Sequence, residues 1–276
     1  MGTFNRVASA VFDRLLAPFG AAPRWAPWLD LALWSALSGV VALLVYKLVS
    51  SQRGIARTKN LIKLHLLEIR LFKEDILGVF VSTAKIVLRN VVYIAHNLAP
   101  MAVMLVPMLV ILAQLVAWYG YSPLPSGSVR LLKVQLDRAR SPVAATAVTL
   151  ELPPGVVLEA PPVRTARGEI AWRLRAERDG DHELVLRAGD ETQVKRLAVG
   201  GAPRKVPVLR SKGWESLLYP GEDALPRTSA FESIRVDYPA RDMGLLPAGE
   251  PGILLGFLAL SLLVGFAFKG LLGVTI

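Results

Sequence analysis

Six polar side chains fall inside or beside stretches that are otherwise apolar enough to cross a membrane: Ser35, Ser38, Lys47, Asn97, Gln114 and Ser261. At these spacings they form no nucleophile–base pair and no metal site. The chemistry open to them is solvation. Hydroxyls, amides and a cation held at membrane depth would line a hydrophilic groove and lower the cost of moving a polar segment through lipid. Each also has a plainer use. Serines bond back to their own helix, a lysine snorkels to the surface, and a buried amide joins two helices. Pro100 and Pro107 stand close by and read as helix breaks. Each removes an N–H and frees a carbonyl, which is tolerated at membrane depth where a neighbour or water takes up that carbonyl.

Covalent chemistry finds no comparable support. The three histidines, His65, His96 and His182, have no ligand-like spacing, and the chain has no cysteine. That excludes disulfides and thiolate metal sites. The densest acidic spots, PGEDALP at Glu222 and Asp223 and RDGD at Asp179 and Asp181, sit among turn residues and read as solvated loops. Phosphate-binding, dinucleotide, zinc-protease and serine-hydrolase motifs are missing from the sequence. The expectation is a protein that is not an enzyme and uses no cofactor and no metal.

The elements that must position the six polar residues are membrane helices. A mean hydropathy of +0.44 is high for a soluble chain of this size. The apolar content gathers in three windows near the ~20 residues that a spanning helix needs. We place them at 29–49, 99–120 and 250–274. Residues 1–28 carry Phe4, Val7, Val11, Leu15 and Phe19 at helical spacing, with Arg6, Asp13 and Arg14 elsewhere on the wheel. This predicts an amphipathic helix lying in the membrane interface, followed by Pro23 and Pro27 and by the boundary aromatics Trp25, Trp28 and Trp34.

From Lys47 up to the second span, nine Lys and Arg face only Glu68, Glu74 and Asp75. By the positive-inside rule this segment, 50–98, is cytoplasmic. The net charge of +10 is therefore mainly a topology signal, and no specific nucleic-acid binding is expected. Its apolar periodicity predicts a hairpin of two amphipathic helices bending near Lys73–Asp75. Arg53, Arg57, Lys59, Lys63, Arg70 and Lys73 are its candidate client or lipid contacts. The alternative, that Ile76–Leu98 inserts as a fourth span, costs ~2.5–3.5 kcal/mol for each charge near the midplane, and Lys85 and Arg89 lie in that stretch.

Residues 121–249 change character. VRLLKVQL, VAATAVTLEL, EIAWRLRA, HELVLRAG and ETQVKRLAV are β-rich runs punctuated by PPG, ARG, RDGD and GDE. Short strands at this spacing predict an immunoglobulin-like sandwich over 121–200, with Trp172 in its core. The proline-rich segment 201–249 reads as an extension packed on it. The expected fold is thus an α-helical integral membrane protein with three transmembrane helices and a cytoplasmic helical hairpin. An extracytoplasmic all-β domain is inserted between the second and third spans.

This order of parts resembles the YidC/Oxa/Alb membrane-insertase superfamily over residues 1–124 and 250–276. The run Pro100-Met-Ala-Val-Met-Leu-Val-Pro107-Met-Leu-Val-Ile is similar to the start of that family's post-hairpin span, and Ser122-Pro123-Leu124 to its exit. IKLHLLEIRLFKED stands where the family has its cytoplasmic hairpin. Two features depart from the family. The β domain lies after the second span rather than before the core, and no arginine occurs inside the first span, where Lys47 is the nearest cation. The resemblance implies an insertase or chaperone of membrane proteins, in a bacterial cytoplasmic (inner) membrane, and the basic segment 50–98 places the N-terminus outside and the C-terminus cytoplasmic. Its partners would be the lipid bilayer, nascent membrane proteins or the ribosome. The rival expectation is a non-catalytic scaffold or assembly subunit that binds another membrane subunit through the β-sandwich. A polysaccharide-binding envelope protein is the weakest reading.

Overall fold

A computed structural model of the chain describes residues 2–20, 26–137, 147–202 and 204–274. Three of its helices are long and apolar enough to cross a membrane, and two antiparallel sheets lie between the second and the third. The chain divides into two compact units. One joins 1–32 with 110–257, and the other joins 33–109 with 258–276.

The second unit is all helix. It takes most of α2 (Ala26–Val49), all of α3 (Gln52–Leu71), α4 (Ile76–Tyr119) up to Leu109, and α5 (Glu250–Phe268) from Leu258. The Ser51 side chain caps α3 by accepting from the Gly54 N–H at 3.3 Å. Asp75 does the same for α4, accepting from the Gly78 N–H at 3.1 Å. Such caps satisfy orphan donors of the first turn and fix where each helix starts. Within the α3–α4 hairpin, the Glu68 carboxylate bonds the His65 ring at 2.8 Å and accepts from the Ser82 hydroxyl at 2.9 Å.

Two sequence expectations change here. The helix does not break at Pro100 or Pro107; α4 runs through both as 44 continuous residues. Each proline frees one carbonyl, whereas a break in lipid would strand several backbone groups at once, so the helix persists. The boundary placed at 98/99 also disappears, because the second arm of the hairpin and the second span are one helix. At 1.5 Å per residue it is about 66 Å long, twice the ~30 Å of a hydrocarbon core. An unreversed rod of that length cannot supply two separate spans. Ile76–Leu98 and the predicted second span are therefore one helix, on which Lys85 is exposed.

The first unit holds α1 (Gly2–Gly20) and eight strands: β1 (Val129–Leu136), β2 (Val148–Glu151), β3 (Val156–Arg164), β4 (Glu169–Ala176), β5 (Gly180–Ala188), β6 (Glu191–Val199), β7 (Leu209–Ser211) and β8 (Phe231–Val236). A five-stranded sheet has the order β3-β4-β1-β8-β7, and a three-stranded sheet the order β2-β5-β6. Their inward faces share one core. Ile170, Trp172 and Leu174 alternate inward from β4 and share a core with Val134 and Phe231 of their own sheet and with Leu184 and Leu186 of the other. This is the period-2 pattern of strands buried on one face.

The extension expected over 201–249 is part of the sheet. β8 pairs along β1 in the middle, and β7 closes the edge. A bulge explains why β8 was hard to read: the register shifts at Gln135/Leu136, so Phe231 and Ile234 both point inward, three residues apart. β3 carries Pro161 and Pro162 and two register shifts, which an edge strand tolerates. In α1, Val7, Val11 and Leu15 form an exposed strip, opposite Ser9 and Asp13. The side chains of Phe4, Phe19 and Trp25 lie outside the described residues, as does the segment 138–146 where the second β run was expected to begin.

Candidate functional site

The helical unit encloses a cavity of about 530 Å³ among α2, α4 and α5. Helical spacing builds its walls. Met101, Met104 and Met108 follow one another at three and four residues along one face of α4, and Leu43 and Leu262 face them from α2 and α5. The flexible thioethers of methionine suit a surface that must fit variable apolar shapes. Small residues set the spacing of the walls. A Cβ on Gly39 would lie 2.5 Å from the Ser261 carbonyl oxygen, so α2 and α5 meet backbone to backbone there. At one end Tyr46 donates to the Asn97 amide oxygen, and the Asn97 amide donates back to the Tyr93 carbonyl at 2.6 Å.

The six expected groove residues are only partly gathered. Asn97 and Ser261 line this cavity, and the Ser261 hydroxyl is turned to the Leu258 carbonyl at 3.1 Å. Ser35 and Ser38 are buried and do not line it. Lys47 donates to the Leu272 carbonyl at 2.8 Å, tying α2 to the segment after α5. Gln114 belongs to the other unit. The hydrophilic groove expected from these residues is thus, in the structure, an apolar one. Small polar residues have gone into helix–helix packing, where a hydroxyl costs little volume and lets backbones approach. On the hairpin, Arg57, Lys59, Lys63, Arg70 and Lys73 all project outward, and the Arg53 side chain lies outside the described residues.

In the β-rich unit, Gln114 has a different task. It is 1% exposed. Its oxygen accepts from the Lys205 ammonium at 3.0 Å, and its NH2 donates to the Ser9 hydroxyl at 3.3 Å. Lys205 also donates to Asp13 at 3.1 Å and to Ser9 at 3.2 Å, and the Trp118 indole N–H donates to Asp13 at 2.9 Å. Burial pushes the Lys205 ammonium below its ordinary value, against the pull of Asp13. An amide and a carboxylate thus hold a buried cation that would otherwise be too costly.

Around this network lies a second cavity, of about 560 Å³, lined by charged groups. Arg6 pairs with Asp223 at 3.2 Å, Arg196 donates to the Gly221 carbonyl at 2.6 Å, and Arg210 donates to the Val194 and Asp223 carbonyls. Its cations are engaged with the protein, so this seam holds α1 to the sheets. Beneath it, Lys195 is 0% exposed and bonds Glu222 and the Pro207 carbonyl. Burial lowers the Lys195 ammonium value, against the attraction of Glu222.

Sequence reasoning missed Lys205, Ser9 and the pair in which Tyr119 donates to Asp30. Asp30 did carry a signal, since it is the one acid in the first apolar window. Lys205 carried none, because its partners lie 91 and 192 residues away in sequence.

Compared with protein-family models, curated proteins and solved structures, the chain matches none.

Proposed function

We propose that this chain is a membrane-protein chaperone of insertase type, whose methionine-lined groove shelters an apolar transmembrane segment of a client. The cavity among α2, α4 and α5 carries this reading. It is large enough for the protruding side chains of one helix face, it is apolar, and its flexible lining suits varied sequences. The basic hairpin lies in the cytoplasm and meets clients or the ribosome. The two-sheet region, an immunoglobulin-like sandwich, lies across a bacterial cytoplasmic membrane from it, with the N-terminus on the same outer side.

The second reading is a scaffold subunit with one permanent partner, recognised through the sandwich. The dry packing of Ser35, Ser38 and Ser261 favours it, because buried hydroxyls offer no wet path to a polar client.

A photoreactive amino acid at Met104 separates the readings. Adducts with many newly made membrane proteins, chased away as synthesis stops, support the chaperone. One persistent adduct of a single mass supports the scaffold. Adducts with lipid alone overturn both.

A further inference from the structure

Between β8 and α5 the chain makes a short excursion, Met243–Gly249, whose geometry is set by its neighbours. Its base is pinned to the end of α4: the Arg241 N–H donates to the Gly120 carbonyl at 3.0 Å, and the Gly249 N–H donates to the Arg241 carbonyl at 2.9 Å. The turn is closed by a bridge between Met243 and Leu246. The Asp242 carboxylate accepts from the Gly244 N–H at 2.8 Å, and Gly244 supplies a φ of +64°.

The excursion does not rise away from α5. It lies along it. A Cβ on Gly252 would meet the Pro247 carbonyl oxygen at 1.9 Å and Leu246 Cβ at 3.3 Å, so only glycine admits the loop backbone there. Further along, a Cβ on Gly256 would meet Leu246 Cδ1 and Leu31 Cδ2, both at 2.8 Å. Gly256 is six residues past Glu250, about 9 Å into the helix. The whole of α5 is 19 residues, about 28 Å, which is barely the thickness of a hydrocarbon core. No turn of it can be spared to stand above the lipid. A loop packed beside Gly252 and Gly256 is therefore below the membrane surface.

At the tip of this loop Leu245 is 99% exposed. The next apolar surface is the lipid-facing side of α5 itself, with Leu254 and Leu255 exposed. From this continuity the geometry points to Met243–Gly249 being a lipid-dipping hook, with Leu245 embedded in acyl chains of the leaflet that α5 enters. The hook rests on α5 crossing the membrane. It fixes the depth at which the sheets stand, because β8 and the hook share a few intervening residues.

The chain has no cysteine, so single spin labels can be placed at Leu245→Cys, at Leu263→Cys on the exposed side of α5, and at Ala166→Cys in the exposed β3–β4 turn. Leu245 packs on nothing, so its substitution leaves folding intact. The full chain is reconstituted in phosphatidylcholine–phosphatidylglycerol vesicles, and collisions with oxygen and with a water-soluble nickel chelate are compared. The hook predicts a label at 245 that favours oxygen several-fold, like 263 and unlike 166. A label at 245 that behaves like 166 overturns it. So does one shielded from both reagents, which would mean cover by protein. A chelate-accessible label at 263 instead removes the spanning α5, and the hook falls with it.

Discussion

The two units handle polar groups in opposite ways. The β-rich unit buries charge and pairs it: Lys195 with Glu222, Lys212 with Asp137, and Lys205 with Asp13 and Gln114. Around these pairs stands a core drawn from both sheets. The helical unit has a buried apolar cluster of only Leu43, Tyr46, Ile55 and Val274 among the described residues, while Ile76 is 84% and Phe80 76% exposed. Most of its buried polar residues are small, Ser35, Ser38, Thr58, Ser82 and Ser261, with His65 beside them. One unit thus carries its own interior, and the other leaves much of its apolar surface exposed.

The largest expected effect tests the first half of this contrast. Glu222→Ala leaves Lys195 buried without its counter-ion, and breaking such a pair costs about 3–5 kcal/mol. Loss of β-sheet circular dichroism on heating reads this directly. Lys195→Met in the same background restores most of the lost stability, because a matched apolar side chain replaces a desolvated charge. A single Glu222→Ala change without effect would mean that water reaches Lys195, and that the unit's interior is not its own.

Gln114→Leu comes next and tests where the amide belongs. Lys205 loses one charge-assisted hydrogen bond but keeps Asp13, so the expected loss is about 1.5–3 kcal/mol. The unfolding of the β-rich unit should report it, while Met104 photo-adducts stay unchanged. Adducts lost without loss of stability would return Gln114 to the groove that its sequence position suggests.

What the sequence revealed follows from the range of the forces involved. Spans and most strands were legible because hydropathy and alternation are local: VRLLKVQL, EIAWRLRA and ETQVKRLAV coincide with β1, β4 and β6. β8 was obscured by its bulge and β3 by its paired prolines. Pro100 and Pro107 suggested breaks because a proline's local penalty is visible in sequence, whereas the lipid's demand for continuous hydrogen bonding is not. The role of Gln114 was illegible for another reason. An amide in an apolar run announces a polar neighbour without naming it, and that neighbour, Lys205, is 91 residues away.

Ser38 gives the smallest effect and the sharpest sign. Its hydroxyl is buried, at 1% exposure of the residue, and has no hydrogen-bond partner. An unsatisfied hydroxyl in an apolar setting costs about 1–3 kcal/mol. Ser38→Ala removes that penalty together with a volume too small to leave a significant cavity. The expected result is an unchanged or slightly raised melting temperature in detergent, with undisturbed α2–α5 packing at Gly39. A fall would require that the hydroxyl bonds to something other than this chain, water or a client's backbone. The packing around α2 would then be wet where the structure has it dry, and the two units would no longer differ in how they satisfy their polar groups.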